Sequence, residues 1–170
     1  MGPSIRELAP PDLPRLVELC REHAAYERAP WDSTDPHREE RLHDLFLAGS
    51  GPAVRGAQAW VVEAEGRLVG FATTSFDRST WDAGRYLHLD CLYLEEPWRG
   101  KGLGRDLMTR AAQLAVELGA VNLQWQTPDW NEDAVRFYRR LGAGEARKLR
   151  FTLQPEACAR LARETPTRNR

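Results

Sequence analysis

The sequence predicts an α/β fold whose central unit is a strand, a glycine-rich turn and a long helix. An aliphatic and aromatic run of strand length, Tyr86–Leu94, precedes the glycines of Arg99–Gly104. From Leu103 to Leu118, apolar residues then recur at steps of three and four, which is the period of one helix face. Gly119 follows at the point where a helix commonly ends in a left-handed cap.

Periodicity and turn residues predict further elements on both sides of this unit. Before it we expect a strand at Ser4–Leu8, a first helix that begins at Pro10 and a second helix at Asp35–Leu47. A strand hairpin should follow, with strands at Gln58–Glu63 and Leu68–Phe76 joined by a turn at Glu65-Gly66. The segments Tyr26–Asp32, Ala48–Gly56 and Asp77–Gly84 are predicted loops.

After the long helix we expect a strand at Asn122–Thr127 and a helix from Asn131 to Gly142. A last strand at Lys148–Leu153 and a terminal helix at Pro155–Arg163 should follow. The prediction is a single domain over residues 1–170 with the order β-α-α-β-β-β-α-β-α-β. A disordered tail is expected over about 165–170.

Alternation along the strand before the glycine turn assigns its side chains to two faces. One face should carry Tyr86, His88, Asp90, Leu92 and Leu94, and the other Leu87, Leu89, Cys91 and Tyr93. This places Cys91 away from the titratable side chains, which favours a small buried residue over a nucleophile.

The glycine turn has the composition of a diphosphate-binding site. The first amides of a helix have no internal partner and lie at the positive end of its dipole, and glycines let a phosphate approach them. Arg99, Lys101 and Arg105 add cationic donors. The glycine spacing fits neither the dinucleotide fingerprint nor the P-loop. The alternative is a solvated turn before an ordinary helix.

The pattern R-x-x-G-x-G at Arg99–Gly104 resembles the acyl-CoA loop of the GNAT superfamily of N-acetyltransferases. Downstream, the run from Trp130 to Tyr138 is similar to the family's next segment, a helix with Asn near its start and Phe-Tyr in its middle. The resemblance covers roughly residues 59–153. It implies a mixed, largely antiparallel central sheet with helices on both faces, and acetyl-CoA as co-substrate without a metal.

The resemblance also implies which residues bind the cofactor. Backbone amides near Leu92 and Leu94 would hold the pantetheine and the thioester carbonyl, between two strands that splay apart. The diphosphate would lie on Arg99, Gly100, Lys101, Gly102, Leu103, Gly104 and Arg105. Asn131 would cap its helix and also reach the cofactor arm, although the cap alone explains this residue.

Two side chains are candidate proton carriers. Tyr138 matches the tyrosine that the family places beside the cofactor sulfur, where a phenol can protonate the leaving thiolate. The alternative is a core tyrosine. Asp90 stands where the spermidine/spermine N-acetyltransferase branch has a glutamate, so it is the candidate base, acting directly or through a water, or simply holding the cation. His88 is the rival base, and a hydrogen-bonded strand residue is the alternative for Asp90.

Acceptor recognition is expected from the first two helices and from the loop after Phe76. The candidate substrate residues are Tyr26, Glu27, Trp31, Trp81 and His88, with Asp32, Asp77 and Asp82 in an acidic mouth. The expected function is direct acetyl transfer from acetyl-CoA to a primary amine of a small molecule, such as an amino acid, a polyamine or a drug-like amine. The alternatives are acetylation of a protein lysine or N-terminus, and a non-catalytic acyl-CoA-binding module.

The composition of the chain bears on its partners and its cellular location. The formal net charge is −1, which gives no reason to expect a nucleic-acid partner. The three cysteines, Cys20, Cys91 and Cys158, are too scattered for a metal knuckle or a disulfide framework. No long apolar run predicts a membrane span. We therefore expect a cytoplasmic protein, and the resemblance to the polyamine branch implies a homodimer.

Overall fold

The structure, a computed structural model, describes residues 2–49, 51 and 56–164. Its elements in chain order are β1 Ser4–Glu7, α1 Leu13–Tyr26, α2 Arg38–Phe46, β2 Ala57–Ala64, β3 Arg67–Ser79, β4 Gly84–Leu94, α3 Leu103–Glu117, β5 Leu123–Gln124, α4 Glu132–Arg140 and α5 Pro155–Leu161. The chain divides into two compact units, Met1–Pro128 and Asp129–Arg170, and the second contains α4 and α5.

The first unit is built on a five-stranded sheet with the order β1-β2-β3-β4-β5. All neighbouring strands are antiparallel except β4 and β5, which run parallel and are connected through α3. Glu65-Gly66 joins β2 to β3 as predicted. The mixed, largely antiparallel sheet expected from the sequence is therefore confirmed.

Helices α1 and α2 cover one face of this sheet. The buried cluster beneath them joins helix and strand residues: Leu8, Leu13, Leu16, Leu19, Ala59, Val61, Leu68, Phe71 and Tyr93, with Cys20 and Cys91 packed against it. Asp12 fixes the start of α1, because its carboxylate accepts hydrogen bonds from both Arg6 amino groups at 2.6 and 2.9 Å and from the Ala9 amide at 2.8 Å.

Helix α3 covers the opposite face. Its buried residues are those of the predicted apolar stripe, Leu103, Leu107, Ala111, Leu114 and Ala115, with Met108 beside them. They pack mainly on β4. Strand residues that alternate with the first cluster, such as Val62, Ala72 and Leu87, are buried on this side. Helices therefore lie on both faces.

Strand lengths differ from the predictions at three places. β3 continues to Ser79, so the loop predicted at Asp77–Gly84 is only a tight turn. The strand expected at Asn122–Thr127 contributes only Leu123 and Gln124 to the sheet. The prediction of a last strand at Lys148–Leu153 is wrong within the described part of the chain, where this segment has no ladder partner.

The second unit has little buried apolar surface around that segment. Leu149, Phe151 and Leu153 are 84%, 88% and 58% exposed, because no neighbouring strand covers them in the described residues. Helix α5 ends at Leu161, slightly before the predicted bound. The predicted loop Ala48–Gly56 falls largely outside the described residues, and the tail predicted over 165–170 lies entirely outside them.

Candidate active site

The glycine turn takes a backbone shape that suits an anion. Gly100 and Gly102 have φ values of 72° and 89°, in the left-handed region that favours glycine. A Cβ at either position would meet nothing within 4 Å, so the space beside the turn is open. Gly102 caps α3 without a side-chain hydrogen bond. The first amides of α3 therefore lie beside open space, as a diphosphate site requires.

The three cations of the turn lie in different surroundings. Lys101 and Arg105 are exposed, and the Lys101 ammonium lies 4.6 Å from the centre of the Trp98 ring. Arg99 instead directs its guanidinium over Tyr26, 4.4 Å from the ring centre, and its Nε donates to the Leu94 carbonyl at 2.8 Å. Lys101 and Arg105 thus remain available to phosphate, while Arg99 joins the turn to α1 and β4.

A β-bulge interrupts β4 at the candidate base. Thr73 pairs with Cys91 and Thr74 pairs with Leu89, so Asp90 is the extra residue. The bulge brings Asp90 and Cys91 to one face, where the Cys91 thiol donates to the Asp90 carboxylate at 3.6 Å. The prediction that Cys91 lies opposite Asp90 is therefore wrong. Alternation fails here because a bulge adds one residue to one strand only.

The pairing of β4 with β3 also determines the direction in which the amides of Leu92 and Leu94 point. The Glu95 amide donates to the Val69 carbonyl at 2.9 Å. Because paired residues of an antiparallel ladder alternate, the Tyr93 amide points to β3 and those of Leu92 and Leu94 point away from it. On that side, the pairing of β4 with β5 ends at His88 and Gln124. Leu92 and Leu94 therefore present their amides at an edge that β5 does not continue.

The two thiols near Asp90 are poor nucleophiles. The pKa of Cys20 is raised to about 11, chiefly by burial, while Arg38 opposes the rise and the Asp90 charge adds to it. Burial and the neighbouring Asp90 also raise the pKa of Cys91 well above its ordinary value. Both cysteines stay protonated near neutral pH, which disfavours an acetyl-cysteine intermediate.

His23 is a mostly buried residue of α1 that the sequence does not single out as a site residue. Its side chain is 13% exposed, and its ring stacks on Tyr93 with centres 5.3 Å apart and meets Phe71 edge-on at 6.0 Å. Its Nε2 lies 3.4 Å from a Glu27 carboxylate oxygen. The i,i+4 spacing of His23 and Glu27 on a predicted helix was the signal that could have indicated this pair.

The pKa of His23 reflects competing influences. Burial lowers it below the ordinary imidazole value, and this is the largest effect. Glu27 and Asp90 raise the pKa through their negative charges, and Arg99 lowers it. Asp90 shares a face of β4 with Cys91, which packs against the cluster beneath α1, so Asp90, Glu27 and His23 all lie on the α1 side of β4.

The predicted acceptor residues divide into two groups. Tyr26 and Glu27 lie at the end of α1, beside Arg99 and His23 respectively. Trp31 follows in the next loop, with the Arg38 guanidinium 3.9 Å from its ring centre. Trp81 instead occupies the tip of the β3–β4 hairpin and is 95% exposed. The structure thus brings only part of the predicted set to the region of Asp90.

The remaining predicted residues are held by local contacts. Asp32 accepts from the Thr34 hydroxyl, and Asp77 accepts from the Tyr86 hydroxyl at 2.8 Å. Asp82 accepts from Ser79 at 2.6 Å. His88 pairs with Ser75 on β3 and with Gln124 on β5. These local contacts explain the positions of the three aspartates in turns and on a strand.

The second unit contains the two other predicted residues. Asn131 is buried and its side chain accepts from the Ala134 amide at 3.3 Å, so its role as the cap of α4 is confirmed. Tyr138 lies on α4 with its ring centre 5.1 Å from that of Phe137. The cofactor roles of both residues stay predictions.

The described residues contain neither a metal-binding cluster nor a membrane-spanning helix. Within them, no cluster of three or more histidine, cysteine or acidic side chains could hold a metal ion. Among the helices in the described ranges, none has the length and apolarity needed to cross a membrane.

Comparison with known protein families identifies the family of this chain. Residues 16–143 match the model of the acetyltransferase (GNAT) family. The chain belongs to the GNAT family. This GNAT protein is therefore an acyltransferase, and the glycine turn, the bulged β4 and α3 described above all fall within the matched region.

Individual relatives support the assignment. This GNAT chain is 30% identical over 167 residues to thialysine N-epsilon-acetyltransferase of Bos taurus, covering 93% of this chain and 96% of that one. It is 28% identical to the human spermidine/spermine N(1)-acetyltransferase-like protein 1, covering 82% of this chain and 20% of that one. A solved structure of AAC(6')-Iy with a CoA-containing bisubstrate analog has the same fold, with a TM-score of 0.72 and 16% identity over 91% of this chain and 99% of that one.

Proposed function

We propose that the protein transfers the acetyl group of acetyl-CoA directly to a primary amine of a small molecule. The observation that carries this proposal is the position of the two amides of Leu92 and Leu94 on an edge of β4 that no strand pairs with in the described residues, a few residues before the glycine turn. The relative named thialysine N-epsilon-acetyltransferase acts on a small amine according to its name, and a second relative is named as spermidine/spermine N(1)-acetyltransferase-like.

Acetyl-CoA would supply an activated thioester, and this chain has residues that fit its two polar parts. The open space at Gly100 and Gly102 and the first amides of α3 suit the diphosphate. The amides of Leu92 and Leu94 suit the pantetheine and the thioester carbonyl, where amide donors stabilise developing negative charge on oxygen. Lys101 and Arg105 add exposed positive charge near the turn.

Direct transfer is favoured over transfer through the protein because the nearby thiols are protonated. Cys20 and Cys91 have raised pKa values, so neither provides a thiolate near neutral pH. Asp90 and Glu27 give the α1 side of β4 negative charge that attracts an ammonium. Tyr138 is proposed, by resemblance to the family, as the proton donor to the leaving thiolate.

A panel of amines separates this function from its alternatives. Thiol release from acetyl-CoA would be measured with amino acids, polyamines and drug-like amines, and with peptides carrying a free N-terminus or a lysine. We expect release with one or more small amines. Release with peptides alone would indicate a protein acetyltransferase, and tight acetyl-CoA binding without any release would indicate a binding module.

We also propose that the protein is a cytoplasmic homodimer. The three free cysteines fit a reducing compartment. The exposed apolar side chains Leu149, Phe151 and Leu153 occupy alternate positions along the chain, which is the pattern of a strand that pairs with a second copy. Light scattering at micromolar concentration should give the mass of two chains, and the mass of one chain would reject the dimer.

A further inference from the structure

Burying the polar imidazole of His23 at its position in α1 costs free energy. Its ring fills the space between Tyr93 and Phe71, which a purely apolar ring would fill as well. A buried polar ring costs free energy unless it has a polar partner, and here that partner is Glu27 at 3.4 Å. A histidine is therefore not required by packing at this position.

The charges around His23 come from three elements. Glu27 lies one turn further along α1, Asp90 lies on the bulge of β4, and Arg99 begins the glycine turn. Tyr93, against which the ring stacks, donates its hydroxyl to Glu22 at 3.5 Å. The thiols of Cys20 and Cys91 are protonated and carry no charge near neutral pH.

This arrangement suits a proton acceptor. Burial keeps the imidazole neutral near pH 7, so it can take up a proton. Once protonated, the ring has carboxylates of Glu27 and Asp90 nearby to balance its charge. A group that is neutral at the operating pH, and whose anionic neighbours offset part of the cost of its protonation, is suited to act as a general base.

We propose that His23 accepts the proton that the acceptor amine loses before it attacks acetyl-CoA, with Asp90 passing the proton on and Glu27 holding the imidazolium. The inference rests on the proposed function and goes beyond it by naming the terminal proton acceptor. Asp90 is exposed on the bulge and can meet the ammonium, whereas His23 is a mostly buried residue of α1 on the same side of β4.

The amine nitrogen loses two protons in each turnover. The ammonium gives one proton to His23 through Asp90, and the neutral amine then forms the C–N bond to the acetyl carbon while the C–S bond breaks. The nitrogen loses a second proton, which balances the proton taken up by the thiolate to form the thiol. His23 returns the first proton to solvent beside Glu27, so each turnover releases one proton.

His88, the rival base, lies in a different setting. It pairs with Ser75 and Gln124 inside the sheet, two residues before the bulge. The charged neighbour identified for it is Asp77, which is already bonded to Tyr86. Its position within the ladder, and the bond that already occupies Asp77, make it the weaker candidate.

The decisive variant is His23→Phe, which keeps an aromatic ring between Tyr93 and Phe71. With a strongly basic amine at pH 7, we expect kcat to fall about 10²-fold, the size of a lost general base. With an amine of similar size that carries electron-withdrawing groups and is already neutral at pH 7, we expect a far smaller loss. Disturbed packing would instead lower kcat equally for both amines.

Glu27→Gln gives a second, independent readout. Since Glu27 raises the pKa of His23, its removal should shift the NMR titration of the His23 ring in the free protein to lower pH. The acidic limb of the kcat profile should shift in the same direction. His43→Gln is the matched control, because His43 is an exposed histidine beside Asp44 on α2, and it should change neither readout.

The outcomes separate this inference from the proposed function. A parent protein that acetylates no amine overturns both. An active parent whose His23→Phe variant keeps its kcat, or loses it equally with both amines, overturns only the role of His23. Should His23→Phe not fold, a parent His23 titration that does not coincide with any step of the kinetic pH profile overturns the role in the same way.

Discussion

The guanidinium of Arg99 lies over the ring of Tyr26, 4.4 Å from its centre, and thereby joins the start of the glycine turn to the end of α1. The same side chain donates to the Leu94 carbonyl at 2.8 Å and lies 5.6 Å from the centre of the Tyr93 ring. One residue of the turn thus contacts both the strand proposed to bind the thioester and the helix proposed to face the amine.

Arg99→Met should lower stability because it removes these contacts while keeping a long apolar stem. We expect the free energy of unfolding in urea to fall by about 2 kcal/mol, from one charged hydrogen bond and the cation–π contacts. Arg110→Met is the control, since Arg110 is exposed on α3, and it should change stability by less than about 0.5 kcal/mol. Equal effects of the two substitutions would show that the Arg99 contacts do not stabilise the fold.

Gly102→Glu should abolish acetyl-CoA binding, since it places bulk and negative charge beside the first amides of α3. Calorimetry with acetyl-CoA measures this directly. Gly119→Glu is a matched control, because Gly119 also has a positive φ, of 64°, beside open space, at the other end of the same helix. The control carries the same backbone strain and should bind normally. A Gly102→Glu protein that binds as tightly as its parent would place the cofactor elsewhere.

Several features of this site follow from local sequence. The apolar stripe of α3, the cap at Asn131 and the turn at Glu65-Gly66 depend on residues close together in the chain, and all three are observed. The glycine turn was equally predictable, because positive φ values favour glycine at a few fixed positions.

Features that depend on distant partners were not predictable in the same way. The bulge at Asp90 is invisible in an alternating pattern, since it arises from the register of β4 against β3. The run Lys148–Leu153 has the alternation of a strand, but a strand forms only where another one pairs with it. The burial of His23 depends on Phe71 and Tyr93, about 50 and 70 residues away along the chain.

Protonation of Asp12 at acidic pH should lower the stability of the fold. The pKa of Asp12 is lowered, chiefly because its carboxylate accepts hydrogen bonds from Arg6 and also from the Ala9 amide. A lowered pKa means that this stabilisation is present above the unfolded value, about 3.9, and is lost as the pH falls through the lower folded value. Asp12→Asn should cost about 2 kcal/mol at pH 7, with the difference from the parent vanishing at strongly acidic pH.

Urea unfolding of both proteins from pH 7 to pH 2 checks this prediction. Glu145→Gln, which removes an exposed pair with Arg139, is the control and should give no measurable change at any pH. A difference between Asp12→Asn and its parent that stays constant down to the lowest pH would contradict the titration of Asp12 as its cause.

Tyr138→Phe tests the proposed proton donor. The substitution keeps the ring that packs beside Phe137 and removes only the hydroxyl. Acetyl-CoA affinity should stay nearly unchanged, and kcat should fall about 10²-fold, as for the loss of a general acid. Phe137→Tyr, on the neighbouring position, controls for a general disturbance of α4. Unchanged kcat in Tyr138→Phe, with chemistry shown to limit the rate, would leave Tyr138 as a packing residue.

Direct acetyl transfer to a small amine is tested most simply by thiol release from acetyl-CoA, with mass spectrometry of the amine product. We expect release that depends on a small primary amine, formation of its N-acetyl derivative in equal amount, and no stable acetyl group on the protein. Acetyl-CoA binding without amine-dependent release, or an acetylated cysteine that forms in the absence of amine and is consumed when amine is added, would contradict it.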